Sequence, residues 1–464
     1  MAQSKTKQTR KFLQLTFQDY YRTNHYKVDI PQNVHQREFG MESWDYTWRC
    51  IERIERGEDG TESRKGCGQS GSAFYRMTKC PFCGSPDLHV NNWSRHIGYR
   101  SKDNLLSSLV TSVPHSVYHS SAFYRIPVAR SMIEKDWQGA ELVFDIDADH
   151  LDSSCAKKHD SWRCENPVCH KVGMGAHPDK CPKCEGDRFN SLKWICDECL
   201  EDAKKNTMKL YDKFLVKHFG IDPEMMQLNY SGHRGYHVRV RAPHMFDLDS
   251  NARVEIAHYV TGMGLSSSIA ADGRLRVVPS GDLHNWQLPS IGRKVADSMI
   301  EFIENIDTYQ GGESWVKYLI VNKEAALDGL SRNPPLLSGK VKHVGPKSWQ
   351  KIATKATSFY SSDIDLPVTH DIHRVIRLIG SLNGKTGFTV NHLTRDELND
   401  FDPFADALVF TSGTLKVFIH GRSMEVPKFR IGTETFGPYN QEMVELPESA
   451  AIFLMCKGMA TLER

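Results

Sequence analysis

The sequence predicts an α/β protein: a mixed sheet flanked by helices, with metal-braced modules and a small helical subdomain. Three observations carry this. Apolar, β-prone residues run through 142–146 and alternate with polar ones at 238–241. Helical periodicity marks residues 10–25 and 200–219. Three Cys-x-x-Cys pairs, Cys80/Cys83, Cys181/Cys184 and Cys196/Cys199, have the spacing of metal ligands.

Composition bounds the rest. The chain has 464 residues, 39% apolar and 25% charged, with a formal net charge of +2. These values fit a globular protein of two or three structural units. A near-neutral balance means that any anion-binding surface must be local. No apolar run approaches the roughly 20 residues needed to cross a bilayer, and the first eleven residues are polar. The expectation is an intracellular protein without a membrane segment.

Taken in order, residues 10–25 read as an amphipathic opening helix. Residues 53–65, charged and containing glycine, read as an exposed hairpin within a cysteine-containing insertion at 45–90. There Cys67, Cys80 and Cys83 supply three ligands of a candidate zinc site, and Cys50 or His89 could supply the fourth, with Cys50 preferred.

The run Glu141-Leu-Val-Phe-Asp145-Ile-Asp147 follows. Side chains alternate along a strand, so Asp145 and Asp147 face one side. Two like charges at a strand end repel and resist desolvation. A hard divalent cation such as Mg²⁺ or Mn²⁺ removes both penalties.

Residues 155–199 are dense in Cys, His, Lys and Pro and too poor in aliphatics to build a core without metal. Cys164, Cys169, Cys181 and Cys184 have zinc-ribbon spacing (164–184). Cys196 and Cys199 need two further ligands, and Cys155 and His159 are the nearest unused donors. The ribbon is then nested inside a Cys₃His site. Cys456, alone in an apolar run, reads as a core residue. Residues 200–219 form a helix with Ala203, Leu210, Tyr211, Phe214 and Leu215 on one face, stopped by Gly220.

Two polar clusters complete the set. Ser231, Arg234 and His237 lie in a glycine-containing turn, Ser231-Gly-His-Arg-Gly-Tyr-His237. Glycine lets backbone N–H groups approach an anion, and arginine offers a fork to phosphate oxygens. Asp363 and Asp365 again alternate onto one side. Arg374 and Arg377, three apart, are expected on a shared helix face, and Lys385 sits in a glycine-bounded loop. Carboxylates followed by cations suit a nucleotide with metal-bound phosphates. Residues 295–345 read as mostly helical.

These motifs occur in a specific order: Arg37-Glu38-Phe39-Gly40, Arg95-His96, Phe144 to Asp149, the Cys/His knuckle, Ser231 to His237, and Asp365 to Gly387. The ordered set resembles the catalytic (small) subunit of archaeal and eukaryotic DNA primases over nearly the whole chain. Its style is archaeal. The resemblance implies a catalytic α/β domain over 1–294 and 346–464, with 295–345 as the helical subdomain. It implies that Asp145, Asp147 and Asp365 hold two catalytic Mg²⁺ or Mn²⁺ ions. Ser231, Arg234, His237 and Arg377 would hold the incoming triphosphate, with Asn383 and Lys385 beside it and Glu38 and Arg95 near the nucleotide. Cys155, His159, Cys196 and Cys199 match the family's zinc knuckle.

The implied reaction is template-directed joining of nucleoside triphosphates into primers on single-stranded DNA. The implied partner is a large, iron–sulfur-containing subunit. The implied compartment is the cytoplasm of an archaeon, or the nucleus if the source is eukaryotic. The alternatives are a primase-polymerase of repair or of a mobile element, and an inactive zinc-ribbon subunit that binds nucleic acid. Two departures stand out. Asn383 occupies the family's usual histidine position, and the cysteine-rich insertions near 45–90 and 160–190 are absent from the minimal family pattern.

Overall fold

The computed structural model describes residues 2–56, 62–151, 155–166, 168–262, 265–269, 275–279, 289–332, 335–337, 341–421 and 425–463. It divides into two units, residues 1–250 with 367–464, and residues 251–366.

In the first unit the opening helix spans Ala2–Thr23. It buries Leu13, Phe17, Tyr20 and Tyr21, the 3–4 spacing that puts side chains on one stripe. Strand Phe39–Cys50 then runs for twelve residues. Its first part pairs with Ser116–Ser120 on one side and Leu88–Ile97 on the other; its last part pairs with Ser70–Ala73 and Leu88–Ile97. The charged stretch is the expected hairpin, Arg53–Arg56 against Glu62–Lys65. Its tip, residues 57–61, lies outside the described residues.

One expectation fails here. Arg374 and Arg377 do not share a helix. The helix Leu366–His370 ends, Asp371 accepts a bond from the His373 amide at 2.8 Å, and Val375–Arg377 joins the first sheet against Ser116–Ser120. Asp371 closes a turn, and the β-branched Val375 and Ile376 favour the strand.

The second sheet has the order His392–Leu393, Met226–Tyr230, Gly235–Val240, Leu142–Asp147. Every residue of Met226–Tyr230 and of Gly235–Val240 is buried, so the sheet is covered on both faces. Helix Asp197–Lys209 packs against it and continues as a π-helical stretch, Leu210–His218, that ends at Gly220 with φ +66°. The apolar face read from the sequence is the buried one. Near the C-terminus, Thr414–Ile419 pairs with Glu442–Pro447 and Ala460–Leu462, and the apolar helix Glu448–Cys456 lies beneath them. The opening helix meets this layer: the Leu462 amide donates to Thr9 Oγ1 at 2.9 Å.

The second unit is mainly helical, with helices Pro289–Glu304, Val316–Val321, Lys323–Ser331 and Pro346–Tyr360 and a hairpin of Leu265–Ile269 and Leu275–Pro279. Met299, Phe302, Trp315, Leu319, Leu330, Trp349 and Ile352 form its own core. It extends well beyond the 295–345 expected from helical pattern alone. Residues 333–334 and 338–340 of that stretch lie outside the described residues.

Candidate active site and metal-binding clusters

The two acids of strand Leu142–Asp147 are set by their pairing. Asp145 lies opposite His237 and Asp147 opposite Gly235. Spaced by two, both carboxylates leave the same face, as expected. A Cβ at Gly235 would collide with the Ile146 carbonyl, so glycine is required for the close approach of these strands. Asp147 Oδ1 accepts the Asp149 amide at 3.0 Å. Burial and the adjacent Asp149 charge push the Asp147 carboxyl above its ordinary range. His237 Nδ1 lies 3.2 Å from the Asn229 side-chain amide, which turns Nε2 toward Asp145 Oδ1 at 3.5 Å. Burial, reinforced by Arg377, Arg239 and Arg374, lowers His237 to about 3. The imidazole is therefore neutral near pH 7. With Asn229 donating to Nδ1, the ring proton sits on Nε2, facing the Asp145 carboxylate.

Beside the acids lies a concentration of cations. The turn after Met226–Tyr230 is closed by Ser231, whose Oγ accepts the amides of His233 and Gly235, each at 3.3 Å. Both lone pairs are used and the hydroxyl hydrogen remains to donate. Arg377 lies over the Tyr118 ring at 4.8 Å, and its Nη1 is buried with no hydrogen-bond partner among the described residues. Lys385 is exposed on the neighbouring loop. His233 is held well below its ordinary value by burial and then by Lys457, Lys385, Arg377 and Arg234. Lys457 is 7% exposed; its ammonium donates to the Lys193 carbonyl at 3.0 Å and lies 3.1 Å from His233 Nε2. Burial, then Arg234 and Lys385, bring it down to about 7. Cations that press protons off one another, with a buried unpartnered guanidinium N–H among them, are the electrostatics of an anion site.

Two residues expected on the triphosphate sit otherwise. The Arg234 side chain has no exposure. Its Nη1 is 2.8 Å from Asp149 Oδ1 and 3.0 Å from Asp160 Oδ2, and its Nη2 is 4.0 Å from Cys199 Sγ. Asp160 Oδ1 in turn is 2.8 Å from His159 Nδ1. A continuous chain thus joins a cysteine cluster to the aspartate strand: His159, Asp160, Arg234, Asp149, Asp147. Asn383 is also fully buried. Its Nδ2 donates to the Ser231 carbonyl at 3.1 Å and its Oδ1 accepts the Lys385 amide at 3.0 Å. Both ends of the amide are used in bracing one loop against the other. Thr386 Oγ1 adds a bond to the Gly232 carbonyl at 2.6 Å.

Glu38 and Arg95 are brought together as partners of each other. Arg95 forks onto Glu38 at 2.9 and 3.0 Å, while the His96 amide and the Lys135 ammonium approach the same carboxylate at 3.0 and 3.3 Å. Burial alone would raise Glu38, but these donors hold it below its ordinary range. Arg37 is consumed by Glu141 at 2.8 Å and by three backbone carbonyls. Asp365 is half-buried and belongs to the second unit, two residues before the chain re-enters the first.

Three cysteine clusters form, with the memberships read from the sequence: Cys50, Cys67, Cys80 and Cys83; Cys155, His159, Cys196 and Cys199; Cys164, Cys169, Cys181 and Cys184. In each, one ligand atom from every residue lies within 4.8 Å of the others. In the two all-cysteine clusters, sulfur pairs stand at 3.5–3.7 Å. A tetrahedral Zn²⁺ with bonds of about 2.3 Å requires about 3.8 Å. All three clusters could hold zinc. The first resolves the choice of fourth donor in favour of Cys50 over His89. Cys456, expected in the core, is only half-buried, and it joins none of the clusters among the described residues.

Sequence reasoning missed Lys457, Asp149 and Asp160. Lys457 left a trace: it immediately follows an uncharged, largely apolar stretch, Ala450 to Cys456, where a cation must end up buried or bridging. The aspartates left none beyond adjacency to His159 and Asp147.

A family model described as DNA primase small subunit matches residues 179–394. The DNA primase small subunit PriS of Methanothrix thermoacetophila is 31% identical over 392 residues, covering 79% of this chain and 88% of the relative. That of Methanococcoides burtonii is 28% identical over 479 residues, covering 97% and 98%. That of Nitrosopumilus maritimus is 25% identical over 453 residues, again covering 97% and 98%.

Proposed function

The chain belongs to the DNA primase small subunit family, and from that premise we propose how its own residues perform primer synthesis. The protein is the catalytic subunit of a DNA primase, a nucleotidyltransferase type of enzyme acting on DNA and nucleoside triphosphates, and the small-subunit designation entails a large-subunit partner. In the finer reading that partner carries an iron–sulfur cluster and the reaction uses two divalent cations. No helix among the described residues is long and apolar enough to cross a membrane.

The observation that supports the assignment best is the pairing of two strand-end carboxylates with a neighbouring set of cations, among them the buried Arg377 Nη1 with no hydrogen-bond partner among the described residues. Asp145 and Asp147 are the proposed ligands of Mg²⁺ or Mn²⁺, an ion whose chemistry there would be to lower the charge of the reacting oxygens. By resemblance rather than by placement, Asp365 is the third acid. His237 orients Asp145. The Ser231 hydroxyl, Arg377, Lys385 and Lys457 receive the triphosphate. Arg234 and Asn383 act behind this surface, holding the turn and loop that present it. No side chain becomes a covalent nucleophile; the attacking group is the 3′-hydroxyl of the growing strand, and the residues position and neutralise. The three cysteine clusters are proposed zinc sites.

The test is primer synthesis on single-stranded DNA without a pre-existing primer, with and without the large subunit. Asp147→Ala should lower synthesis on the order of 10³-fold with little change in Tm, because loss of the acceptor for the Asp149 amide is offset by relief of the repulsion from the Asp149 charge. Turnover within a few-fold of wild type would take Asp147 out of the site.

A further inference from the structure

The module around Cys50, Cys67, Cys80 and Cys83 has a surface unlike that of a structural plug. Its interior is complete: Trp48, Cys50 and Cys80 are buried, with Met77, Leu88 and Val90 against them. Yet two aromatic rings remain outside, Phe82 at 69% and Tyr75 at 47% exposure. Burial of these rings therefore does not contribute to the module's core. Phe82 stands beside Trp48 with ring centroids 6.1 Å apart, which fixes its base while leaving its face open. Arg76 and Lys79, both exposed, lie between the two rings in the sequence. From Lys65 to Leu88 the only carboxylate is Asp87. Across the whole insertion, 45–90, seven acids balance seven bases, but between Tyr75 and Phe82 the charged residues are Arg76 and Lys79 alone, cations interleaved with aromatics, the chemistry that holds single strands by stacking and phosphate contact.

Position adds a direction. The strand Phe39–Cys50 carries the module at its far end, and Glu42 near its start lies by the proposed triphosphate pocket. Glu42 is 3.1 Å from His115, and it is depressed to about 2, against its burial, by His115, Lys385 and Arg377. The strand bulges between Glu42 and Thr47; Glu42 lies opposite Trp93 and Cys50 opposite Leu88, five residues apart on the partner strand, so at about 3.3 Å per residue the two are separated by about 17 Å. That span corresponds to about five nucleotides at the 3.4 Å of a stacked strand.

We propose that this module is a template-holding arm: Tyr75 and Phe82 stack on bases of single-stranded DNA, and Arg76 and Lys79 meet its phosphates, about five nucleotides from the reacting site. The arm rests on the primase reading for what the strand is, and on its own surface for how the strand is held.

The experiment uses the full chain and fluorescence anisotropy with oligothymidylates of about 4 and about 25 nucleotides, lengths below and above the span. Tyr75→Ala with Phe82→Ala should weaken binding of the long strand on the order of tenfold, and the loss should shrink on the short one. Arg76→Ala with Lys79→Ala should reduce the slope of log K against log salt by about 1.4, at about 0.7 per lost phosphate contact. Zinc content and circular dichroism report folding. If the double variants fail to fold, Phe82→Trp reads the same surface: its fluorescence should be quenched by the long strand. Unchanged long-strand affinity, or no quenching, overturns the arm. So does a variant that binds DNA normally but no longer captures the large subunit, which would make the surface a protein-docking face. Absence of nucleotide incorporation by wild type would instead sink the primase reading, independently of the binding comparison.

Discussion

Lys457 is held in a position that costs stability. Its ordinary value near 10.5 falls to about 7 because it is buried and faces Arg234 and Lys385. The unfolded chain therefore binds this proton more tightly than the folded one. The cost is fully present below pH 7 and disappears as pH rises from about 7 toward 10.5. Lys457→Met should raise Tm at pH 7 while raising KM for the incoming nucleotide on the order of tenfold, the worth of one charge-assisted contact. In wild type, kcat/KM should fall above about pH 7 as the ammonium loses its proton, and the variant should lack that limb. A variant with unchanged KM would place Lys457 outside the triphosphate site. Asn383 makes the opposite case. Asn383→Ala leaves the Ser231 carbonyl and the Lys385 amide without partners, at about 1–3 kcal/mol, so thermal melting should fall and KM rise together. At this scale the sequence was readable where spacing alone places a side chain, as for Asp145 and Asp147. It was not readable where a side chain's use depends on what faces it from distant segments. Arg234 looks like a phosphate fork until Asp149 and Asp160 are found on it, and nothing in the turn's own residues announces Asp160, 74 positions away.

Elements were legible in proportion to how local their causes are. The helix at 200–219 shows its apolar stripe and its glycine stop, and the hairpin at 53–65 its charge and turn residues. Arg374 to Arg377 was misread because a three-residue spacing is compatible with a helix, while the strand there exists through pairing with Ser116–Ser120, which no local pattern reveals. The cysteine clusters were legible because ligand spacing is a covalent constraint. Their separateness can be measured. Cys181→Ser with Cys184→Ser should lose one zinc of about three, by elemental analysis, with the melting transition of the catalytic sheet retained. The nearest sulfurs of the ribbon belong to one another, Cys164 to Cys184 at 3.6 Å and Cys169 to Cys181 at 3.7 Å. Loss of all zinc in that variant would refute modular binding.

For the whole molecule, the boundary of the second unit was the least legible feature. Helical pattern marked 295–345, whereas the unit takes in 251–366, because its core also draws on Leu275 and on Trp349, Ile352, Ala353 and Ala356 of the following helix. A global consequence follows from buried neutral histidines in the first unit. His119, His233 and His237 are all lowered, chiefly by burial, His237 to about 3. Unfolding lets each take a proton below its ordinary value of about 6.5, so their contribution to stability is present above that pH and is lost as pH falls. Each should add about 1.4 kcal/mol per pH unit to the slope between roughly pH 6 and 4. Denaturant titrations across that range should show a steep acid limb, and His119→Gln should shallow it.

The strands that lead into and out of the nested ribbon have a further consequence. Ser161–Cys164 and Phe189–Leu192 are paired in register, Cys164 opposite Phe189. The ribbon's two attachment points are therefore neighbours across one ladder, the separation that a two-residue turn bridges. Excised and replaced by Asn-Gly, residues 165–188 should leave the host hairpin closed, with loss of the Val172–Met174 strand from its other edge and of the Gly175 amide bond to the Asp160 carbonyl. Such a joint lets a lineage gain, lose or exchange the insert in a single genetic step, and lets an engineer graft another folded module at the same address.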